Sequence, residues 1–218
     1  MHNVIVRSAL IAIATLVSAS AFAGPTAELK VTGVIKPPAC QPGFSGAGVV
    51  DYGVIPAASL KAGENKRLDV RQVTLSVTCD SAAKVAMKFS DNRAASRVAG
   101  VTGLTVLNAP EDFNYGLGTV AGKNVGGYYL TLDTGTTADG VAVSNMWSSN
   151  GTNWHNNAGF LQHEGHLYAF GDSNRQPVAF RQLTVKINVH ASLNKPENLP
   201  LTQEVPLDGR ATVELVYL

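Results

Sequence analysis

Beyond its first residues the sequence has no stretch that repeats apolar residues at i, i+3, i+4 and i+7, which excludes a helical bundle. Charge of one sign is also missing. Seventeen Lys and Arg stand against 16 Asp and Glu, so no field draws the chain to nucleic acid or an anionic surface. Charge runs, internal repeats and low-complexity stretches are absent. Cysteine is reduced to two residues, Cys40 and Cys79, with neither C-x-x-C spacing nor a nearby histidine, so metal and redox motifs do not fit. The apolar run at residues 9–17 falls far short of the roughly 20 residues that span a membrane, and no stop-transfer cluster follows it.

What that run does resemble is the apolar core of a secretory signal. Arg7 precedes it, and Ser18-Ala19-Ser20-Ala21-Phe22-Ala23 follows with the small residues a signal peptidase needs. Cleavage is expected between Ala23 and Gly24, giving residues 1–23 as the signal and residues 24–218 as a single domain bound for the periplasm, the cell surface or the medium. Loss of Arg7 with the leader leaves equal numbers of acidic and basic residues. In an oxidising compartment the default state of Cys40 and Cys79 is one intramolecular disulfide. Closing a loop of that size is worth about 4 kcal/mol in the chain-entropy model.

The remaining pattern is short alternating segments rich in Val, Leu, Thr and Tyr, separated by Gly, Pro, Asn and Asp. Leu29, Val31 and Gly33 alternate with Lys30 and Thr32 in the first. Leu68, Val70, Val73, Leu75 and Val77 form the next, with a slip at Arg71-Gln72 suggesting a bulge. Further strands are expected at 84–90, 113–118, 125–132, 141–147, 165–171, 178–190 and 211–218, which together imply an all-β, immunoglobulin-like sandwich or a barrel. Asn150-Gly151 is expected to close a tight hairpin with Trp147 opposite Trp154, and Asp208-Gly209 to join a penultimate strand at 199–207 to the last one. The Gly-, Asn- and Ser-rich stretch 133–175 is expected to be long surface loops carrying short inserted strands.

Three features occur together in the order found in bacterial pilus subunits of the chaperone and usher pathway. They are Leu29-Lys30-Val31-Thr32-Gly33-Val34-Ile35 leading to Pro37-Pro38-Ala39-Cys40, Cys79 closing a strand, and a final strand with Tyr217 next to last. The chain more closely resembles a bacterial family of fimbrial-like exported proteins whose shared domain has no assigned function. Gly48-Val49-Val50-Asp51-Tyr52-Gly53, Asp91-Asn92-Arg93-Ala94, Leu199-Pro200-Leu201-Thr202 and the stretches at 73–80 and 116–128 carry that likeness. The wider resemblance implies a pilin-type sandwich with enlarged loops that lacks its last strand, and a groove filled by strand addition. It implies that Ala211, Val213, Leu215 and Tyr217 border the groove. It also implies that the Leu218 carboxylate meets basic residues of a periplasmic chaperone, with an usher and other fimbrial subunits as later partners. With residues 29–35 as the first strand, only Gly24 to Glu28 precede it. The subunit is then expected to receive a strand but not to donate one, or else to complete itself from residues 133–175.

Chemistry is sparse. His163-Glu164-Gly165-His166 lacks the helical H-E-x-x-H spacing, and in a strand its histidines point apart. Residues 116–127 are glycine-rich but match no phosphate-binding fingerprint and read as strand, turn and strand. No nucleophile elbow is present. Neither a metal nor a cofactor is expected, and the protein is read as a non-enzyme. Trp147 and Trp154, among several asparagines, either pack as a hairpin pair or stack on a surface glycan. The second reading makes the protein a self-completed carbohydrate-binding or adhesin domain.

Overall fold

The computed structural model describes residues 26–105 and 108–218. The expected signal peptide and its cleavage site at Ala23 and Gly24 lie outside the described residues. The chain divides into residues 1–36 and 37–218. In the first unit, residues 26–36 form no regular secondary structure and every one is exposed. The expected first strand is therefore not formed, although its alternation is real. A strand needs a neighbour to bond to, and periodicity in the sequence cannot supply one.

The second unit is a sandwich of two antiparallel sheets. Its principal strands are β1 (Cys40–Phe44), β2 (Arg71–Ala83), β3 (Val85–Asp91), β4 (Gly126–Leu132), β5 (Ser144–Ser148), β6 (Leu167–Gly171), β7 (Phe180–Leu193) and β8 (Ala211–Tyr217). Sheet one runs β1, β2, β7, β4 and then the short strand Phe160–Leu161. Sheet two runs from His155–Asn156 through β5, β6 and β3 to β8. Successive long strands thus pass between the layers, as in an immunoglobulin-like sandwich.

Period-two burial explains the layers. Val73, Leu75, Val77 and Cys79 of β2, and Leu183, Val185, Ile187, Val189 and Ala191 of β7, point into one core. They meet Val85, Met87 and Phe89 of β3 and Tyr168 and Phe170 of β6 from the other sheet. Phe89 meets Tyr168 edge-on at 5.8 Å, and Tyr115 stacks on Tyr128 at 5.1 Å. Each such side chain contributes about 1.5–3 kcal/mol by leaving water.

The slip at Arg71-Gln72 is a break rather than a bulge. Lys66–Arg67 is a separate short strand on β7, and β2 starts afresh at Arg71. The register shifts elsewhere on β2, where the stretch from Thr78 to Ala83 lies opposite only Phe180 to Gln182 of β7. Residues 199–207 form no strand, so Asp208-Gly209 is not a hairpin turn. Gly209 is needed there because a Cβ would come within 2.8 Å of the Tyr128 ring. The glycine-rich stretch does form strand, turn and strand, with Thr119–Val120 paired to Lys123–Asn124 through Ala121 and Gly122, both at positive φ.

Residues 133–175 do more than loop over the surface, because they supply β5 and most of sheet two beyond β3. That extension grows from the edge opposite β8. It leaves the seam between β1 and β8 as it is, so this region does not complete the sandwich there.

Candidate functional site

The two sheets end in facing edges, β1 and β8. β8 pairs with β3 along its length, from Ala211 opposite Asp91 to Tyr217 opposite Val85, and among the described residues its other side has no strand beside it. β1 pairs with β2 from Cys40 opposite Cys79 to Phe44 opposite Leu75. The first pair carries the disulfide, with Cα atoms 4.0 Å apart, so the expected Cys40–Cys79 bond is formed. One contact ties the seam at this end: the Cys40 amide donates to the Tyr217 hydroxyl at 2.7 Å.

Past Phe44 the chain leaves β2. Gly46, Ala47 and Gly48 take left-handed φ values of 59°, 54° and 76°, which turns the chain out of the ladder. Residues 50–55 then run on with Val50, Tyr52 and Ile55 half-buried against the core and Asp51, Gly53 and Val54 exposed. Among the described residues, no backbone hydrogen bond joins residues 50–55 to another strand. Tyr52 is fixed through its side chain, whose hydroxyl donates to the Val189 carbonyl at 3.2 Å. Burial raises the pKa of that phenol.

Between residues 44–52 and residues 207–213 lies an apolar slot of ≈ 190 Å³, with Val73, Phe89, Tyr128 and Ile187 among its floor residues. A wider depression of ≈ 530 Å³ shares Val50, Tyr52 and Leu207 with it and extends to Leu60 and Leu199. Val213 and Leu215 are half-buried beside the core, while Ala211, Tyr217 and Leu218 are exposed. The Leu218 amide donates to the Lys84 carbonyl at 3.0 Å, extending the β8 register to the last residue. The site is thus a slot into the core, flanked by a strand edge and by an extended segment whose backbone has no strand partner. Unpaired backbone over an apolar floor can accept an extended chain.

The tryptophans part company. Trp147 pairs with His155 instead of Trp154, because Asn150 Oδ1 accepts from the amides of Thr152 and Asn153 and holds a wider loop. Trp154 is buried on the outer face of sheet two against Ala86, Met146 and Ala169. Trp147 lies between the imidazoles of His155 and His166, at 4.9 and 4.4 Å. The two indoles therefore present no common face to a sugar. His163 is buried, its Nε2 donating to the Glu111 carbonyl and its Nδ1 accepting from Arg97, at 3.2 and 3.3 Å. Among the described residues no group of three or more His, Cys, Asp or Glu is placed to hold a metal ion.

Sequence reasoning missed the polar latch behind β8. The Asp91 carboxylate is fully buried and accepts from Arg97 Nε and the Arg93 amide, both at 2.8 Å, and from the Gly116 amide at 3.1 Å. Arg93 reaches on to Asp208, where Nε donates to the carboxylate at 3.0 Å and to the backbone carbonyl at 3.1 Å. The Arg93 and Arg210 hydrogen bonds hold the Asp208 carboxyl below its ordinary range. Gly116 sits where a Cβ would be 2.3 Å from the Arg93 carbonyl. The signal was present in Asp91-Asn92-Arg93-Ala94 and in the glycines after 116, but nothing local says that these segments meet.

The family model described as "Protein of unknown function (DUF1120)" matches residues 29–146. The chain is 25% identical over 234 residues to Protein GltF of Escherichia coli strain K12, covering 92% of each chain. It is 24% identical over 254 residues to Uncharacterized protein YhcF of the same strain, covering all of both.

Proposed function

The chain belongs to the family of unknown function DUF1120, and from that premise we propose that it is a non-enzymatic, exported, fimbrial-like subunit that works by accepting an extended strand along the β1–β8 seam. The observation that carries this reading is the apolar slot with unpaired backbone on both sides. A core open at one seam is costly in water, whereas an added strand both covers apolar surface and satisfies main-chain donors and acceptors. In the export compartment a periplasmic chaperone is the first occupant, registering on β8 through Val213, Leu215 and Tyr217 and on the Leu218 carboxylate. An usher or another subunit replaces it later.

Removing residues 213–218 tests the reading. The expected result is loss of chaperone co-purification and a shortened periplasmic half-life. Unchanged values for both would rule out capture through β8.

A further inference from the structure

Tyr128 is the one residue of the slot's floor that hydrophobic burial does not account for. It is 6% exposed and stacks on Tyr115 at 5.1 Å, yet it brings a hydroxyl into an apolar place. A buried phenol ordinarily bonds its hydroxyl, because leaving it bare forfeits its hydration. Other tyrosines of this domain follow that rule. The Tyr52 hydroxyl donates to the Val189 carbonyl and the Tyr115 hydroxyl to the Leu161 carbonyl, while those of Tyr168 and Tyr217 accept from the Gln162 and Cys40 amides. Tyr129 alternates with Tyr128 along β4 and turns to the outer face. Among the described residues the Tyr128 hydroxyl has no hydrogen-bond partner. Nor is it one of the partnerless polar atoms that are sealed from solvent. The oxygen therefore keeps an opening, and the opening that its ring lines is the slot.

Its place in the sheet decides what can answer it. Sheet one runs β1, β2, β7, β4, so Tyr128 reaches the slot from the fourth strand, well in from the β1 edge. A strand added at the seam keeps its backbone level with the edges and sends alternate side chains inward. The group that meets the phenol is then a side chain. Tyr115 and the Gly209 backbone hold the ring where it is, since a Cβ at 209 would already lie 2.8 Å from Tyr128 Cε1. Burial, with the Asp91 charge adding to it, pushes the phenol's pKa up, so the group stays a donor. A carboxylate on the incoming strand would place a second charge in an apolar slot within reach of Asp91, which disfavours an acidic residue. The floor residues Val73, Phe89, Leu130 and Ile187 offer no polar side-chain atom.

Resting on the strand-accepting reading above, we infer that Tyr128 is a specificity-determining residue of the slot. The accepted strand carries a neutral hydrogen-bond acceptor, the hydroxyl of a serine or threonine or the amide of an asparagine, at the inward position over Tyr128, and apolar side chains at its other inward positions.

The test uses the purified protein with fluorescent nine-residue peptides that have valine at every inward position and lysine or glutamate between. One valine at a time is replaced by threonine, which has nearly the same shape and adds a hydroxyl. One of these peptides should bind the wild type about fivefold more tightly than the all-valine peptide, the worth of one net hydrogen bond. In Tyr128→Phe that preference should vanish, while the all-valine peptide binds at least as well as it does to the wild type. Removing an unpaired hydroxyl should leave the melting temperature of Tyr128→Phe at or above that of the wild type. Tyr115→Phe, which breaks a buried bond, should lower it by about 2–4 °C.

An all-valine peptide that binds the wild type best, or a threonine preference that persists in Tyr128→Phe, overturns the inference and leaves the strand-accepting reading standing. A melting temperature that falls as far in Tyr128→Phe as in Tyr115→Phe also overturns it, because the hydroxyl would then have a partner inside the fold. If no peptide binds the wild type the inference falls too, and removal of residues 213–218 then decides the other reading: it survives if chaperone capture is lost and fails with the inference if capture is unchanged.

Discussion

Asp91 shows how much of this fold rests on single polar residues that hydrophobic patterning ignores. Its carboxylate has no exposure, and it gathers Arg97, the Arg93 amide and the Gly116 amide around one point. Removing one member of such a group leaves a desolvated guanidinium and orphaned amides, so the loss exceeds the worth of an ion pair in water. Asp91→Ala should cost about 3 kcal/mol in urea unfolding. Glu214→Ala, on an exposed position of β8, should stay within about 0.5 kcal/mol. Equal effects would mean that the buried carboxylate is not what fixes the 91–97 loop. His163 belongs to the same lesson. On sequence alone it reads as part of a polar loop or strand end, whereas in the structure its ring nitrogens meet Arg97 and the Glu111 carbonyl.

At the scale of elements, β1 is the weak member. It has five residues, pairs among the described residues only with β2, and is left half-exposed by the open seam. The Cys40–Cys79 bond compensates by joining the first residue of β1 to the middle of β2. Replacing both cysteines by serine should lower stability by about 2–4 kcal/mol. It should also raise hydrogen exchange first in residues 40–44. Exchange that rises evenly over the whole domain would show that the bond acts on the unfolded chain without holding β1 in place. The strands with two neighbours were legible in advance. The alternation of Val73, Leu75 and Val77 marked the inward face of β2, and the expected strands at 125–132 and 178–190 anticipated β4 and β7, because burial on one side imposes the period. Residues 29–35 alternate equally well and are not a strand, and 199–207 failed for the opposite reason. Two prolines and the Arg93–Asp208 contact hold that stretch in the open. The tryptophan pairing failed because an asparagine side chain, not the Asn-Gly backbone, set the loop length.

For the molecule as a whole, the pH response follows from two imidazoles, one within β7 and one just ahead of β6. His190 stacks on Tyr129 at 4.3 Å, and His166 packs on Trp147. Burial lowers the pKa of both, with Asp112 opposing the shift at His166. The unfolded chain takes up protons at about pH 6.5, before the folded state does, so the two states bind different numbers of protons below that pH. Stability is therefore full above about pH 6.5 and falls on acidification until the folded imidazoles also protonate. The urea midpoint should drop between pH 7.5 and 5.5 in the wild type and flatten in a His166→Gln/His190→Gln variant. A variant whose midpoint falls as steeply as the wild type would place the acid sensitivity elsewhere.

The sequence by itself determined the all-β class, the inward face of β2, the disulfide partners and the exclusion of helix-borne metal and phosphate motifs. These follow from period, composition and residue chemistry, all of which act locally along the chain. Only the tertiary structure decided that β1 and β8 are facing edges, that residues 29–35 form no strand, that Asp91 is the centre of a latch, and that the two tryptophans turn to opposite faces. Which strand lies beside which, and which edge is left without a neighbour, depends on contacts between distant residues, and one-dimensional periodicity is the same for a paired strand and an unpaired one.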